Sequence, residues 1–298
     1  MRSIAEWKVH PQGQAVGGEP LLHLRIGDTF SRRDWKMSRQ RPLEGLRVLD
    51  LTRVLAGPIA TRFLAGLGAE VLRIDPPWWD EPGVVLEVAL GKRCARIDLR
   101  QTSNRELFEH LLKDADVLIH GYRPDALARL GFDAEHRQEL SPGLVDVTLD
   151  AYGWTGPWKW RRGFDSLVQM SSGIADAGMK ESGKNRPTPL PVQALDQSVG
   201  YFMAAAAIRG LTDRLKTGAG CQARTSLARM AVLLISQPVA QTREAIAPET
   251  PNDLSGKIEK TDWGPARRIK PPVVVDGAPL RWDLPASKLG SVEARWLK

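Results

Sequence analysis

An α/β fold, with a parallel Rossmann-like sheet and flanking helices, is predicted by three features of the chain. Short apolar runs rich in β-branched residues recur between positions 46 and 150. Helix-length runs separate them. The chain has 298 residues, 42% of them hydrophobic, enough to bury a sizeable core. Strands that alternate with helices need crossover connections, which favours parallel pairing, and ligands of such sheets bind at the carboxyl ends of the strands.

The elements follow in order. Residues 1–41 are polar, basic and broken by Gly and Pro, with Trp7 and Trp35 but little periodicity, and read as an irregular arm over the main body. LRVLDL, from Leu46, is a buried strand. GPIATRFLAGLG reads as a helix with Pro58 near its start and Gly68 past its end. EVLRID and CARIDL are strands, RELFEHLLKDA is a helix behind the cap candidates Ser103 and Asn104, DVLIH is a strand, PDALARLGF a helix and LVDVTL a strand. After Tyr152 a Trp/Gly/Pro loop leads to a helix through FDSLVQMSSG, a polar insertion, and a long helix beyond Asp196. From about Gln237 the chain is Pro-rich and weakly patterned. An arm at 1–41, a core domain at 42–236 and a C-terminal return segment at 237–298 result.

MRSIAEWKVHPQGQ lacks the apolar stretch of a signal peptide, and no apolar run reaches the roughly 20 residues that span a bilayer, so a cytoplasmic protein without membrane contact is expected. Cys94 and Cys221 stand apart with no His or Cys at ligand spacing, so neither a metal site nor a disulfide is expected; both read as buried thiols. The formal charge of +7 favours anionic partners, but Lys and Arg are spread along the chain rather than clustered, which speaks against nucleic acid. Phosphates on a small ligand would use the same excess.

The turn LTRVLAGP lacks the GxGxxG spacing that wraps a pyrophosphate, although Asp75 lies where a ribose-binding acid would be expected, so an NAD-dependent oxidoreductase is poorly supported. Neither GxSxG nor a P-loop occurs. His10, His23, His110, His120 and His136 form no metal motif and no triad; His120 ends a strand and reads as a half-buried, hydrogen-bonded residue. Asp196, in PLPVQALDQSVGYFMAAAAIRGL, begins a long and nearly charge-free helix. That position suits an N-cap, whose carboxylate satisfies first-turn amides, or a nucleophile.

RPLEGLRVLDLTRVLAGPIATRFLAGLGAEVLRID, GKRCARIDL, ADVLIHGYRPDALARLGF, AYGWTGPW, RRGFDSLVQMSSG, PVQALDQSVGYFMAAAAI and KTGAGCQ resemble, in the same order and at similar spacing, the class III CoA-transferase (CaiB/BaiF) family over about residues 42–230. The resemblance implies an acyl-CoA:carboxylate CoA-transferase that takes a coenzyme A thioester as substrate, needs no bound cofactor and forms a homodimer. Asp196 falls at the family's catalytic aspartate, which passes through an acyl anhydride and an aspartyl-CoA thioester. Lys92 and Arg93 match the family's NKR segment beside the CoA adenosine, Arg129 an arginine that contacts CoA phosphates, and Arg162 a basic residue near the CoA chain. Gly57 and Pro58 match the AGP turn, whose amides could hold anionic or carbonyl groups, or which could be a tight turn and nothing more. Arg123 has weaker support, and Asp165 reads as structural, an acid in a first helical turn or a partner for an arginine.

Departures narrow the expectation. Phe164 stands where the racemase branch carries a histidine, and Phe cannot move a proton, so racemisation is disfavoured. Leu55 replaces a glutamine of formyl-CoA transferase-like members and Pro76 a basic CoA contact, which favours a larger or more apolar acyl group. Family members continue into a second domain whose glycine-rich loop closes the site, whereas only residues 222–298 follow Cys221. A shortened member with a truncated second domain is expected: an enzyme, or a CoA-binding half or assembly subunit associated with a longer family member.

Overall fold

Nearly every residue of the central strands is buried, because helices cover the sheet on both faces. The computed structural model describes residues 1–29, 35, 37–123, 125–237 and 247–297. Helices α1 (Ile4–Val9) and α2 (Pro11–Gly17) lead into β1 (His23–Thr29). The sheet core runs through β2 (Arg47–Leu51), α3 (Ala56–Gly66), β3 (Glu70–Asp75), α4 (Val85–Val88), β4 (Lys92–Arg96), α5 (Thr102–Lys113), β5 (Val117–His120), α6 (Ala134–Leu140) and β6 (Val145–Asp150). Then come α7 (Asp165–Ser172), α8 (Ile174–Glu181), α9 (Ala194–Thr217), β7 (Ala219–Ser226) and α10 (Leu227–Ser236), and last the hairpin of β8 (Leu254–Thr261) and β9 (Gly264–Ile269).

Seven of these strands form one sheet in the order β1-β7-β6-β5-β2-β3-β4. All neighbours pair in parallel except β1, which pairs antiparallel with β7. Alternation along each strand divides the core. Val48, Val71, Val117 and Val145 face one cluster with α3, α9 and α10, while Leu49, Leu72 and Leu118 face another with Phe108 and Leu112 of α5. Strand order reverses between β2 and β5, so the crevice at their carboxyl ends is the topological switch point.

Helices α3 and α9 both begin at that edge, because each returns from the carboxyl end of a parallel strand to the start of the next. They touch where α9 has no side chain: a Cβ on Gly200 would lie 2.7 Å from the carbonyl oxygen of Ala56 and 2.8 Å from Ile59. The first turn of α9, which carries Asp196, is thereby brought beside the first turn of α3.

Several sequence expectations are corrected. Residues 1–29 are not irregular: the side chain of Gln12 donates to the carbonyl oxygens of Tyr152 (2.8 Å) and Thr155 (2.9 Å), and Glu19 accepts the N–H groups of Trp154 and Thr155, so this segment is built into the loop after β6. Its helices of six and seven residues are too short to show a period. PDALARLGF forms only a 3-10 turn at Ala128–Leu130 that ends on left-handed Gly131; Pro124, its expected start, lies outside the described residues. Helix α5 starts at Thr102, so Ser103 and Asn104 sit inside its first turn instead of capping it. The tail contains the β8/β9 hairpin, and its residues 238–246 lie outside the described residues.

The rest of the tail does return across the core. Trp282 donates its indole N–H to the carbonyl oxygen of Arg62 (2.8 Å) and lies over Gly91, where a Cβ would come within 2.3 Å of the ring. Val292 bonds the free edge of β4 at Cys94, and Trp296 donates to Leu111. Gly91 also has φ of +78°, so Gly91→Ala combines backbone strain with displacement of Trp282. We expect it to lower stability by about 1–3 kcal/mol, read from the urea midpoint.

Candidate active site

Asp196 lies in the first turn of α9 but does not cap it. The N–H groups of Leu195 and Asp196 both donate to the same oxygen of Asp165 (2.8 and 3.0 Å), the first residue of α7, thirty-one positions earlier than Asp196. Asp165 is held in turn by Gln169, whose side-chain amide donates to its other oxygen (2.5 Å) and whose carbonyl accepts from Leu190 (2.7 Å). No arginine pairs with Asp165 among the described residues. The cap of α9 is thus supplied from another helix, and the carboxylate of Asp196 is released from that task.

Among the described residues nothing donates to the Asp196 carboxylate, although the residue is only 7% exposed. Burial, assisted by the charge of Asp165, pushes its pKa up to about 7. An acid so placed is poised between its two forms near neutrality and, once ionised, has no partner to blunt its reactivity.

Strain gathers around this edge. The non-glycine residues with positive φ among those described are Val54 (63°), just before α3, and Val192 (56°) and Gln193 (49°), just before α9. A β-branched residue rarely adopts this conformation, so the surroundings must impose it. At Val54 they do: its N–H donates to Glu81 (3.0 Å), which also pairs with the buried Arg73, itself bonded to Asp75 (2.8 Å). Asp50, at the end of β2, accepts from Thr52, from Thr61 of α3 (2.6 Å) and from the ammonium of Lys92 (2.8 Å). Burial raises the Asp50 pKa, but Lys92 and Arg73 outweigh it and hold the carboxyl below its usual range. Lys92 also donates to the carbonyl oxygen of Pro58 (3.0 Å), which ties β4 to the first turn of α3.

No side chain caps α3, so the amides of Ala56 and Gly57 have no side-chain acceptor. Beside this turn, Arg53 lies over Trp79 (4.3 Å) and Tyr122 (5.1 Å), which makes a cation-aromatic stack across the switch point. Among the described residues no group of His, Cys, Asp and Glu could hold a metal ion, and no helix is long and apolar enough to cross a membrane.

A family model described as CoA-transferase family III matches residues 43–266. The chain belongs to CoA-transferase family III. It is 31% identical over 239 residues to the succinyl-CoA:glutarate CoA-transferase of Mus musculus, covering 76% of this chain and 52% of that protein. It is 32% identical over 202 residues to the succinate--glutarate CoA-transferase of Agrobacterium fabrum, covering 61% of this chain and 50% of that one. Among solved structures it is similar to a CAIB/BAIF family protein from Brucella suis, with TM-score 0.60 and 28% identity over 66% of this chain and 56% of that chain. The hypothetical protein Rv3272 of Mycobacterium tuberculosis gives TM-score 0.61 at 30% identity, over 65% of this chain and 56% of that chain. The chain spans about half the length of the curated relatives it matches.

Family membership directs attention to the other expected residues, and the structure separates them. Gly57 and Pro58 open α3 beside α9, and Gly57 also permits close packing, since a Cβ there would meet Thr52 at 2.3 Å. The ammonium of Lys92 is wholly buried, on Asp50 and the carbonyl oxygen of Pro58. Arg93 reaches Glu70, at the start of β3, and the carbonyl oxygen of Arg295. Arg129 is exposed in the loop after β5, paired with Asp125. Arg162 is exposed three residues before Asp165, with no hydrogen bond or ion pair among the described residues.

Asp75 is fully engaged by Arg73, so no carboxylate is free for a ribose. His120 is buried between Thr148, Asp146 and Arg137, as a hydrogen-bonded core residue. Arg53, Trp79 and Glu81 were missed by sequence reasoning, and the one available signal was a cluster of Trp and charge, PPWWDE, after a strand.

Two outcomes follow. Asp165→Asn keeps an acceptor for α9 but removes the charge, so the Asp196 pKa should fall below about 7, read by carboxyl carbon NMR of aspartate-labelled protein. Lys92→Met leaves Asp50 buried and uncompensated and should cost about 3–5 kcal/mol of stability in chemical unfolding.

Proposed function

We propose that this chain carries acyl-CoA:carboxylate CoA-transfer chemistry with Asp196 as the nucleophile. The observation that carries the reading is the buried, unpartnered carboxylate of Asp196 on a helix that another acid caps. The names of the family relatives support the reaction class.

In the first step an oxygen of ionised Asp196 attacks the thioester carbonyl carbon, the carbon–sulfur bond breaks, and CoA leaves as the thiolate. The thiolate then attacks the side-chain carboxyl carbon of Asp196 in the resulting anhydride and expels the donor acid as its carboxylate. A second carboxylate reverses both steps and leaves with CoA. No net proton is taken up, which suits a site with no titratable partner on the nucleophile other than Asp165. The amides of Ala56 and Gly57, without side-chain acceptors among the described residues and in the α3 turn that packs on Gly200 of α9, would stabilise the oxyanion of each tetrahedral intermediate.

The Arg53, Trp79 and Tyr122 stack at the switch point is where the nucleotide end of CoA would rest, with Arg129 and Arg162 as candidates for its phosphates and chain. Phe164, 60% exposed at the start of α7, and Val192, 71% exposed before α9, flank the nucleophile with apolar surface and suit an apolar acyl group. Phe164 adds no second base, which argues against racemisation.

Incubation with acyl-CoA and hydroxylamine should convert Asp196 to its hydroxamate, read by peptide mass spectrometry. Isotope exchange between acyl-CoA and free acid should vanish in Asp196→Ala; retained exchange would sink the reading. Because the carboxylate is the reactive form and the pKa is raised, exchange should fall about tenfold per pH unit below pH 7 and level off above it.

A further inference from the structure

The structure holds a cavity of about 550 Å³ between α3, α4, β9 and the chain that follows β9. That volume is typical of small-molecule sites. Ile59, Phe63, Leu86, Leu90, Leu280 and Trp282 give it apolar walls. Its charged lining is lopsided, with Arg62, Arg267, Arg268 and Lys270 against the single acid Glu87.

Local pairing does not use up this excess. Glu87 is shared between Arg62 and Arg268, and Glu259 takes the other edge of Arg268. Lys270 donates to the carbonyl oxygen of Asn252, and the side chain of Arg267 has no hydrogen bond or ion pair among the described residues. Burial pulls the pKa of Arg62 down, with Tyr201 opposing and Arg268 adding to the effect, and Glu87 is divided between Arg62 and Arg268, so one carboxylate serves two guanidiniums.

We propose that this cavity binds an amphipathic carboxylate, an acid whose apolar body lies on Phe63 and Trp282 and whose carboxylate meets Arg267 and Arg62. Guanidinium groups match a carboxylate with paired hydrogen bonds, and the apolar walls give a small inorganic anion nothing to rest on. The site is separate from Asp196, which does not line it. Arg267, Arg268, Lys270, Leu280 and Trp282 also lie beyond residue 266, where the family match ends, so family membership does not supply this site.

Calorimetric titration of the full chain with octanoate tests it, with octan-1-ol and inorganic phosphate as controls. Octanoate is expected to bind one per chain, with neither control binding at the same concentration. Arg267→Glu, at an exposed position whose side chain has no hydrogen bond or ion pair among the described residues, should weaken octanoate at least about tenfold, while Asp196→Asn should leave its affinity unchanged. Absence of octanoate binding, equal affinity in Arg267→Glu, or equal binding of phosphate would overturn the proposal. Loss of octanoate binding in Asp196→Asn would place the acid at the nucleophile and overturn it too, without touching the transfer reading.

Discussion

The grip of Asp165 on the amino end of α9 is the interaction on which the candidate site depends. A helix must satisfy its first amides, and an aspartate in the first turn is an obvious donor of that service. Here the service comes from α7, through one carboxylate oxygen bonded to two successive N–H groups. Asp196 is therefore left without a hydrogen bond in the same turn, and burial, assisted by the nearby negative charge, raises it out of the ordinary carboxylate range. One contact fixes the helix end that carries Asp196 and adds to the effect of burial on its ionisation.

A second constraint holds the surface that faces it. Asp50 and Lys92 form an ion pair inside the sheet layer, which is costly to desolvate and repays that cost only through good geometry and further hydrogen bonds. Thr52, Thr61 and the carbonyl of Pro58 supply those bonds, and each lies in or beside the β2–α3 turn. Arg73, Asp75 and Glu81 then hold Val54 in its strained conformation. Charge buried beneath the turn is converted into a fixed backbone, and Gly200 lets α9 approach that backbone closely. The C-terminal return locks the far end of α3 through Trp282, so both ends of the helix are pinned.

Much of this was legible in the chain. The strands LRVLDL, EVLRID, DVLIH and LVDVTL and the helices after Pro58 and Asp196 fall where their patterns put them, because a sheet buried on both faces demands continuous apolar runs. Both thiols are buried as expected. The two N-terminal helices, β7 and the β8/β9 hairpin were not legible: the helices are brief, β7 is made of small and polar residues, and the hairpin carries no burial pattern of its own.

The candidate site divides in the same way. Sequence alone determined the α/β class and the family resemblance and drew attention to Asp196, since these depend on local pattern and on the order of blocks along one chain. Only tertiary structure decided what each charge does. Lys92 and Arg93 are neighbours in sequence, yet alternation along β4 turns them to opposite faces of the sheet, where Lys92 meets the buried Asp50 and Arg93 meets Glu70 and Arg295. Asp165 and Asp196 are thirty-one positions apart, yet share one helix end. Burial and partnership arise from distant segments meeting in space, and they determine whether a carboxylate caps, pairs or attacks.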